Sequence, residues 1–392
     1  MKLNKVTFVN VLNACASPAN LVEGKKIHHL MVEDGIKIMS DVIVGSVLLT
    51  MYSECGSLDD AQRIFDIMPS KNIISWGALM TGYVQHGLGA TALDLFSKLL
   101  EEELKPGRAT ILCCLMAGGS LGSIVKAHII HDHLIRNECE QDQDQDLDIA
   151  IKNALLDMYI KCGSLKEGRI LFDTLPRRDV ISWNAITAGY CEHGHGILAF
   201  FLLRKMQDEG VKPNINTFAS LLKACGNIGA IGKCRLIHYV ITSINLEVDL
   251  ILEVSLVDAY SKCGSFTDAF ELLSEEPAKS VQAWNALIGG CADQGLYRLA
   301  AKYLEDMEQR GLKPNCRTYT SIIVACSHAG QVDEGRRHFY NMIEIHGITP
   351  DLEHFNCLID LLGRAGRLHE ADELLQTTPN FPGICGWRSL LN

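Results

Sequence analysis

Residues 161–194 read KCGSLKEGRILFDTLPRRDVISWNAITAGYCEHG, and the landmarks of this stretch return along the chain at one interval. Cys-Gly-Ser triplets begin at Cys55, Cys162 and Cys263, spaced 107 and 101 residues apart. Tryptophans stand at Trp76, Trp183, Trp284 and Trp387, at intervals of 107, 101 and 103. Lys-Pro pairs begin at Lys105, Lys212 and Lys313, again 107 and 101 apart. Three independent markers with one spacing define a repeating unit, and self-similarity on this scale is the signature of a repeat architecture. The longer first interval contains NECEQDQDQDLD, residues 137–148, a polar, acidic insertion expected to form a surface loop between helices.

Inside the unit, VIVGSVLLTMY (42–52), IISWGALMTGY (73–83) and ATILCCLMAGG (109–119) align by apolar pattern at steps of 31 and roughly 35 residues. Three sub-repeats therefore make one unit. Each has an apolar stretch at helical spacing, a turn and a second amphipathic stretch. Ser57 with Asp60, Ser164 with Glu167 and Ser265 with Asp268 have the spacing of capping boxes that would open second helices. Gly56, Gly163 and Gly264 are expected to end the preceding first helices. Proline has no N–H and its ring blocks the preceding turn, so Lys-Pro is expected to end the second helix. Such pairs bury their apolar faces only by stacking. The expected fold is all-α, a right-handed α-solenoid of stacked helix-turn-helix repeats with about 22 helices and no sheet.

Composition agrees with a large packed core. The chain has 392 residues, 47% hydrophobic and 21% charged, which excludes intrinsic disorder and fibrous structure. The charge-free stretch Ala109–Val125 is 17 residues long and holds three glycines and two serines, too short and too weakly apolar for a membrane span. A soluble protein is expected. The 15 cysteines are odd in number, follow no secretory leader and recur at repeat intervals, which points to a reducing compartment. Cys55, Cys162 and Cys263 read as packing residues, and Trp76, Trp183 and Trp284 as buried between helices. There is no C-x-x-C and no H-x-E, so the zinc deaminase signature is missing. His128, His131 and His133, and His193 with His195, are metal-like groupings read here as surface polar residues. No catalytic residue, metal or cofactor is expected.

DVISWNAITAGYCEHG (179–194) and IISWGALMTGYVQHG (73–87), with the LKP and VKP endings, resemble pentatricopeptide repeats, the helical-hairpin family of organellar RNA-binding proteins. DIAIKNALLDMYIKCGSLKEGRILFDTLPRRD (148–179) is similar to the short variant, and NTFASLLKACGNIGAIGKCRLIH (216–238) to the long variant, of the plant three-motif subfamily. The resemblance covers nearly the whole chain. Residues 318–376 resemble that subfamily's closing long and short pair, and FPGICGWRSLLN (381–392) resembles the opening of its extension motif, stopping within the first helix. It implies eleven repeats: residues 1–41, 42–72, 73–107, 108–148, 149–179, 180–214, 215–249, 250–280, 281–315, 316–351 and 352–383, with 384–392 as the truncated extension.

The resemblance also implies that each repeat reads one nucleotide of single-stranded RNA through its fifth and last residues. These pairs are Ser46 with Asn72, Asn153 with Asp179, Asn184 with Asn214, Asn285 with Asn315 and Thr320 with Asp351; Asn356 is the fifth residue of the final repeat. By the family's code they favour A, U, C, C and G. Gly77 with Gly107, Val254 with Ser280, and Val9, Leu112 and Ala219 in the long repeats depart from it and are expected to read little. With N-terminal repeats at the 5′ end, repeats two to ten expect A, any, any, U, C, any, any, C, G.

A formal charge of −11, from 36 basic and 47 acidic side chains, predicts poor duplex binding. Local lysines such as Lys105, Lys212 and Lys313 could still serve a single strand. The expected function is selection of an organellar RNA site, directing C-to-U editing by a deaminase supplied separately, in the mitochondrion before the chloroplast, with no membrane or DNA partner. A tetratricopeptide-type protein-interaction solenoid is the competing expectation. It predicts a 34-residue period and no asparagine register. An enzyme with the family's deaminase domain would need motifs absent from these residues.

Overall fold

The computed structural model describes residues 5–16, 20–33, 42–138, 145–244, 246–274 and 280–377. Among them are 22 α-helices and no strand. The chain divides into two compact units, Met1–Gly189 and Tyr190–Asn392. The first holds α1 (Lys5–Cys15), α2 (Leu21–Glu33), α3 (Val42–Glu54), α4 (Leu58–Ile67), α5 (Ile73–Gln85), α6 (Gly89–Glu101), α7 (Arg108–Leu121), α8 (Ile124–Glu138), α9 (Gln145–Lys161) and α10 (Leu165–Thr174). The division falls within α11 (Val180–Glu192). The second holds α12 (Gly196–Asp208), α13 (Ile215–Ile228), α14 (Ile231–Ser243), α15 (Leu250–Lys262), α16 (Phe266–Ser274), α17 (Val281–Asp293), α18 (Tyr297–Gln309), α19 (Cys316–Ala329), α20 (Val332–Glu344), α21 (Leu352–Arg364) and α22 (Leu368–Thr377).

In each unit odd-numbered first helices pack on one another, α3 on α5, α5 on α7 and α7 on α9, then α13 on α15 and so on to α21. Even-numbered second helices pack on their hairpin partners. Each unit is an all-α repeat solenoid. First helices touch neighbours on two sides, which is why their sequences are apolar nearly all round, whereas second helices keep one wet face. Trp76, Trp183 and Trp284 are buried, and Trp76 and Trp183 meet Phe65 and Phe172 of the preceding second helix edge-on at 4.7 Å. Their burial matches the sequence expectation.

The first helices approach closely where a side chain is missing. A Cβ on Gly82 of α5 would stand 2.5 Å from the Cβ of Ser53 on α3, and one on Gly290 of α17 would collide with the Cβ of Ser261 on α15. Neighbouring Gly289 faces open packing, its nearest contact Ser321 Oγ at 3.7 Å.

Gly56, Gly163 and Gly264 have φ of 78°, 76° and 76° and end α3, α9 and α15 as expected. The serine after each donates its backbone N–H to a tyrosine carbonyl five residues back, Ser57 to Tyr52, Ser164 to Tyr159 and Ser265 to Tyr260, each at 2.9 Å. That bond corrects the expected capping boxes. The serine N–H is already taken, and Ser57 and Ser164 make no side-chain cap. Their hydroxyls, like that of Ser265, donate to the carboxylates of Asp60, Glu167 and Asp268.

The Lys-Pro expectation is also corrected. Helices α6, α12 and α18 end at Glu101, Asp208 and Gln309, before the prolines. Left-handed residues, Glu103 (φ 56°), Gly210 (φ 75°) and Gly311 (φ 80°), turn the chain away first. The expected loop at 137–148 shortens as well: α8 runs through Glu138 and α9 begins at Gln145, while 139–144 lie outside the described residues. Residues 378–392, with Trp387 and the supposed extension, also lie outside them.

Cys55, Cys162 and Cys263 sit one residue before those glycines and point their thiols at carbonyls of the preceding first helix, Cys15 O at 3.3 Å, Gly118 O at 3.6 Å and Cys225 O at 3.5 Å. Burial pushes the Cys162 and Cys263 thiols up, as a packing role requires. His131 is not a surface residue free of partners; its Nδ1 shares a 2.6 Å hydrogen bond with Tyr159 OH, as His28 does with Tyr52 at 2.7 Å and His238 with Tyr260 at 3.0 Å. Burial raises Tyr52 and Tyr159 to about 12, so the hydroxyls stay protonated. The His133 ring meets Phe96 edge-on, and His193 and His195 are exposed.

Two measurements test this packing. Gly290→Ala should lower stability by about 1–3 kcal/mol through forced separation of α15 and α17, while Gly289→Ala should gain up to about 1 kcal/mol from helix propensity; urea titrations that order them the other way refute the contact. Burial lowers the affinity of His28, His131 and His338 for protons. The unfolded chain then takes up protons first as pH falls through about 6.5, so stability must drop between pH 7.5 and 5.5. An unchanged urea midpoint over that range would contradict it.

Candidate nucleic-acid interface

The last residue of eight predicted repeats, those ending at 72, 107, 179, 214, 249, 280, 315 and 351, is the N-cap of the next first helix, whereas Asp148, the expected end of the repeat 108–148, falls inside α9, and residues 41 and 383 lie outside the described residues. Asn72, Asn214 and Asn315 have extended backbones, and each Oδ1 accepts from the third helical N–H, of Ser75 at 2.9 Å, Thr217 at 3.1 Å and Thr318 at 3.1 Å. The serine or threonine hydroxyl accepts in return from the cap's own N–H, closing a capping box. Asp179 makes the same exchange with Ser182 at 2.8 and 2.9 Å. Asp351 Oδ1 accepts from the N–H groups of Glu353 and His354. Asp249 and Ser280 cap α15 and α17. These side chains are held at the cap through an oxygen, and the types differ in what else they carry: the amide an NH2 donor, the carboxylate a second acceptor oxygen.

The fifth residues lie on the first helices, and the structure joins two of the predicted pairs directly. Asn153 Nδ2 donates to both oxygens of Asp179, at 3.1 and 3.3 Å. Asn285 Nδ2 donates to Asn315 Oδ1 at 3.2 Å, and Asn285 Oδ1 accepts from Thr318 Oγ1 at 2.6 Å. Asn153 and Asn285 are only 6% and 5% exposed, so they brace the cap residue more than they protrude. Asn153 Oδ1 and Ser46 Oγ have no hydrogen-bond partner among the described residues, and no bond joins Ser46 to Asn72 there. Thr320 and Asp351 are joined through an intermediary. The fully buried His354 places Nδ1 2.6 Å from Asp351 Oδ1 and Nε2 3.4 Å from Thr320 Oγ1 and 2.9 Å from Cys316 O. Asn184 belongs to the first unit and Asn214 to the second, and both are half-buried. Asn356 is half-buried with its Oδ1 unpartnered among the described residues; residue 383, its repeat's last, lies outside them.

Burial raises Asp179, but bonds from Ser182 and Asn153 outweigh it and hold the carboxyl below its usual range. Asp351 is depressed likewise, its bonds from His354 outweighing burial. Both are therefore acceptors at neutral pH.

Three features escape pair-counting in the sequence. The caps are spelled in the sequence as Asn-x-x-Ser/Thr at 72–75, 214–217 and 315–318, and not as Ser-x-x-Asp. His354 occupies the third helical position where α5, α11, α13 and α19 carry serine or threonine, and only its three-dimensional contacts reveal the link to Thr320. Exposed Ile43, Ile74, Ile181 and Ile251 recur one residue after the start of α3, α5, α11 and α15, offering apolar surface beside the caps. Lys105, Lys212 and Lys313 are exposed in the segments leading to the caps.

Because Asn and Asp cap equally well, Asn315→Asp should leave stability within about 0.5 kcal/mol, whereas Asn315→Ala, which also strands Asn285, should cost about 1–2 kcal/mol. Equal urea midpoints for the two variants would show that the cap carries no load.

A PPR repeat model matches residues 46–73, 74–104, 151–180, 254–275, 317–346 and 353–377, and a PPR repeat family model matches 178–227 and 279–328. Among curated proteins of Arabidopsis thaliana, the chain is 35% identical to pentatricopeptide repeat-containing protein At4g38010, over 97% of this chain and 67% of that one. It is 34% identical to At5g27110, over 96% and 53%, and 32% identical to At1g11290, chloroplastic, over 100% and 47%. The chain thus spans about half to two-thirds of the length of these relatives. Crystal structures of the maize pentatricopeptide repeat protein PPR10 superpose with a TM-score of 0.62 alone and 0.69 in complex with an 18-nt psaJ RNA element, at 18% and 17% identity, covering 99% and 100% of this chain and 61% of each maize chain. No described helix is long and apolar enough to cross a membrane. With family models matching along both units and a relative 35% identical over 67% of its own length, the chain belongs to the pentatricopeptide repeat family.

Proposed function

We propose that the chain is a sequence-selective binder of single-stranded RNA, reading one base per repeat. The observation that carries this is the cap that holds the oxygen of the closing asparagine or aspartate in place at the start of a first helix, braced in two repeats by the fifth residue. An amide N–H donor suits the ring-nitrogen acceptor of C or A, and a carboxylate oxygen, which can accept a second hydrogen bond beside the one from Asn153, suits the ring N–H of U or G. Asn153 with Asp179 then reads U and Asn285 with Asn315 reads C, with the repeats assigned as in the sequence, eleven in all. The RNA in the maize PPR10 complex and the shared solenoid support the same reading. Part of the charge lies away from the caps: between second helices Lys25 pairs with Asp60 and Arg235 with Asp268, each at 2.8 Å, and Arg336 with Glu370, pairs that leave the net charge unchanged.

Within this reading the chain is a guide and not an enzyme. Its place is an organelle, as the chloroplastic relative suggests, and its task is to mark sites of C-to-U editing for a deaminase supplied separately, as the three-motif repeat order implies.

The test is a binding titration at fixed salt with the oligonucleotide expected from the repeats, varied at its fourth nucleotide. The parent should prefer U over C there. Asp179→Asn should reverse the preference, each contact being worth about 1 kcal/mol, or roughly fivefold. An unchanged U-to-C ratio in the variant would show that Asp179 reads no base.

A further inference from the structure

Between α3, α5 and α7, entirely within the first unit, lies a cavity of about 420 Å³. It exists because the repeat at 73–107 has glycine at both reading positions. Gly77 and Gly107 line it, where the repeat at 149–179 has Asn153 bonded to Asp179. The rest of its inner wall is apolar or small, Ile73, Ile74 and Ala78 among it, and the buried Thr110 stands at the base. A Cβ on Gly77 would come 3.2 Å from Thr110 Oγ1, so the hydroxyl occupies the direction a fifth side chain would take. Ile74 is 63% exposed at the mouth. Arg108 and Glu54 are at the rim, both exposed, and Arg108 makes no ion pair among the described residues.

We propose that this cavity is a size-selective nucleobase site, taking a purine of single-stranded RNA by fill and apolar contact and not by hydrogen bonds to fifth and closing side chains. It rests on the RNA-binding reading above and replaces the unspecified second nucleotide with a purine. The occupant follows from place and chemistry. The cavity lies in register with polar pairs on the same series of first helices, so a strand passing those pairs passes its mouth. Its volume is within the range of about 300–1,000 Å³ usual for small-ligand sites, and its walls suit a flat ring with apolar faces. Arg108 supplies a cation for the flanking phosphate. A bicyclic base buries more apolar surface than a monocyclic one, and burial is the available discriminator where no amide or carboxylate reads the edge. Adenine and guanine should therefore bind alike.

Gly107 offers a clean variant. Its backbone is extended (φ −79°, ψ 166°), a Cβ there would meet nothing nearer than Ile73 Cδ1 at 3.6 Å, and Thr110 stands at the third helical position, as Thr217 does after Asn214. Gly107→Asn should complete a capping box without strain and put an amide donor into the cavity.

The experiment is fluorescence anisotropy at fixed salt with oligonucleotides of the expected sequence carrying A, G, C, U or an abasic sugar at the second position, alongside a U-to-C change at the fourth. For the parent, A and G should bind within about twofold of one another and about fivefold more tightly than C or U, with the abasic oligonucleotide weakest. Gly107→Asn should separate A from G in favour of A, and Gly77→Val, filling the space, should abolish the purine preference; circular dichroism confirms that both variants fold. A parent that discriminates at the fourth nucleotide but binds all bases equally at the second overturns the cavity proposal and leaves the RNA-binding reading standing. Loss of discrimination at both positions overturns both.

Discussion

One hydrogen bond organises the rest: the side-chain oxygen at the start of a first helix accepting the third helical N–H. It fixes where that helix begins, because the cap residue must leave the helical conformation to make it. It also fixes a polar side chain at the junction of successive repeats, where the fifth residue of the preceding first helix reaches it. Asn153 on Asp179 and Asn285 on Asn315 show both duties in one residue. Within the proposed reading, the closing side chain is held by the fold before RNA arrives, so little rotamer entropy is lost on contact.

The close glycine contacts complete this arrangement. Within each unit, first helices that meet at Gly82 or Gly290 bring neighbouring caps close, and the thiol and Tyr–His contacts tie α3, α9 and α15 to the hairpin before each. None of these contacts is strong alone. Their effect comes from recurrence at one register, as in any stack whose stability sums nearest-neighbour interfaces.

The repeat, the helical hairpins and the burial of the tryptophans were readable from spacing alone, because periodic markers constrain every unit at once. What failed was local. Ser57 and Ser164 have the right neighbours for a capping box, but their N–H groups close the preceding helix, a competition that sequence spacing does not record. Lys-Pro marks the right boundary for the wrong reason, since Glu103, Gly210 and Gly311 turn the chain first. At the candidate interface the residue types at the proposed reading positions were legible. The role of the closing residue as a cap, the brace from Asn153 and Asn285, and the detour through His354 depend on side-chain directions. The paired glycines 77 and 107 read as silence in the sequence and become a cavity only when three helices surround them.

The cap has a consequence for how such a chain can change over generations. Asparagine, aspartate and serine serve almost equally at an N-cap, while alanine and the aliphatic residues do not. Stability therefore confines the closing position to a small alphabet, yet is nearly indifferent among its members. Within the proposed reading, those members name different bases. A single substitution at Asn72, Asp179 or Asn315 can thus move the preferred ligand without first weakening the scaffold, so that drift among neutral variants is itself exploration of new targets.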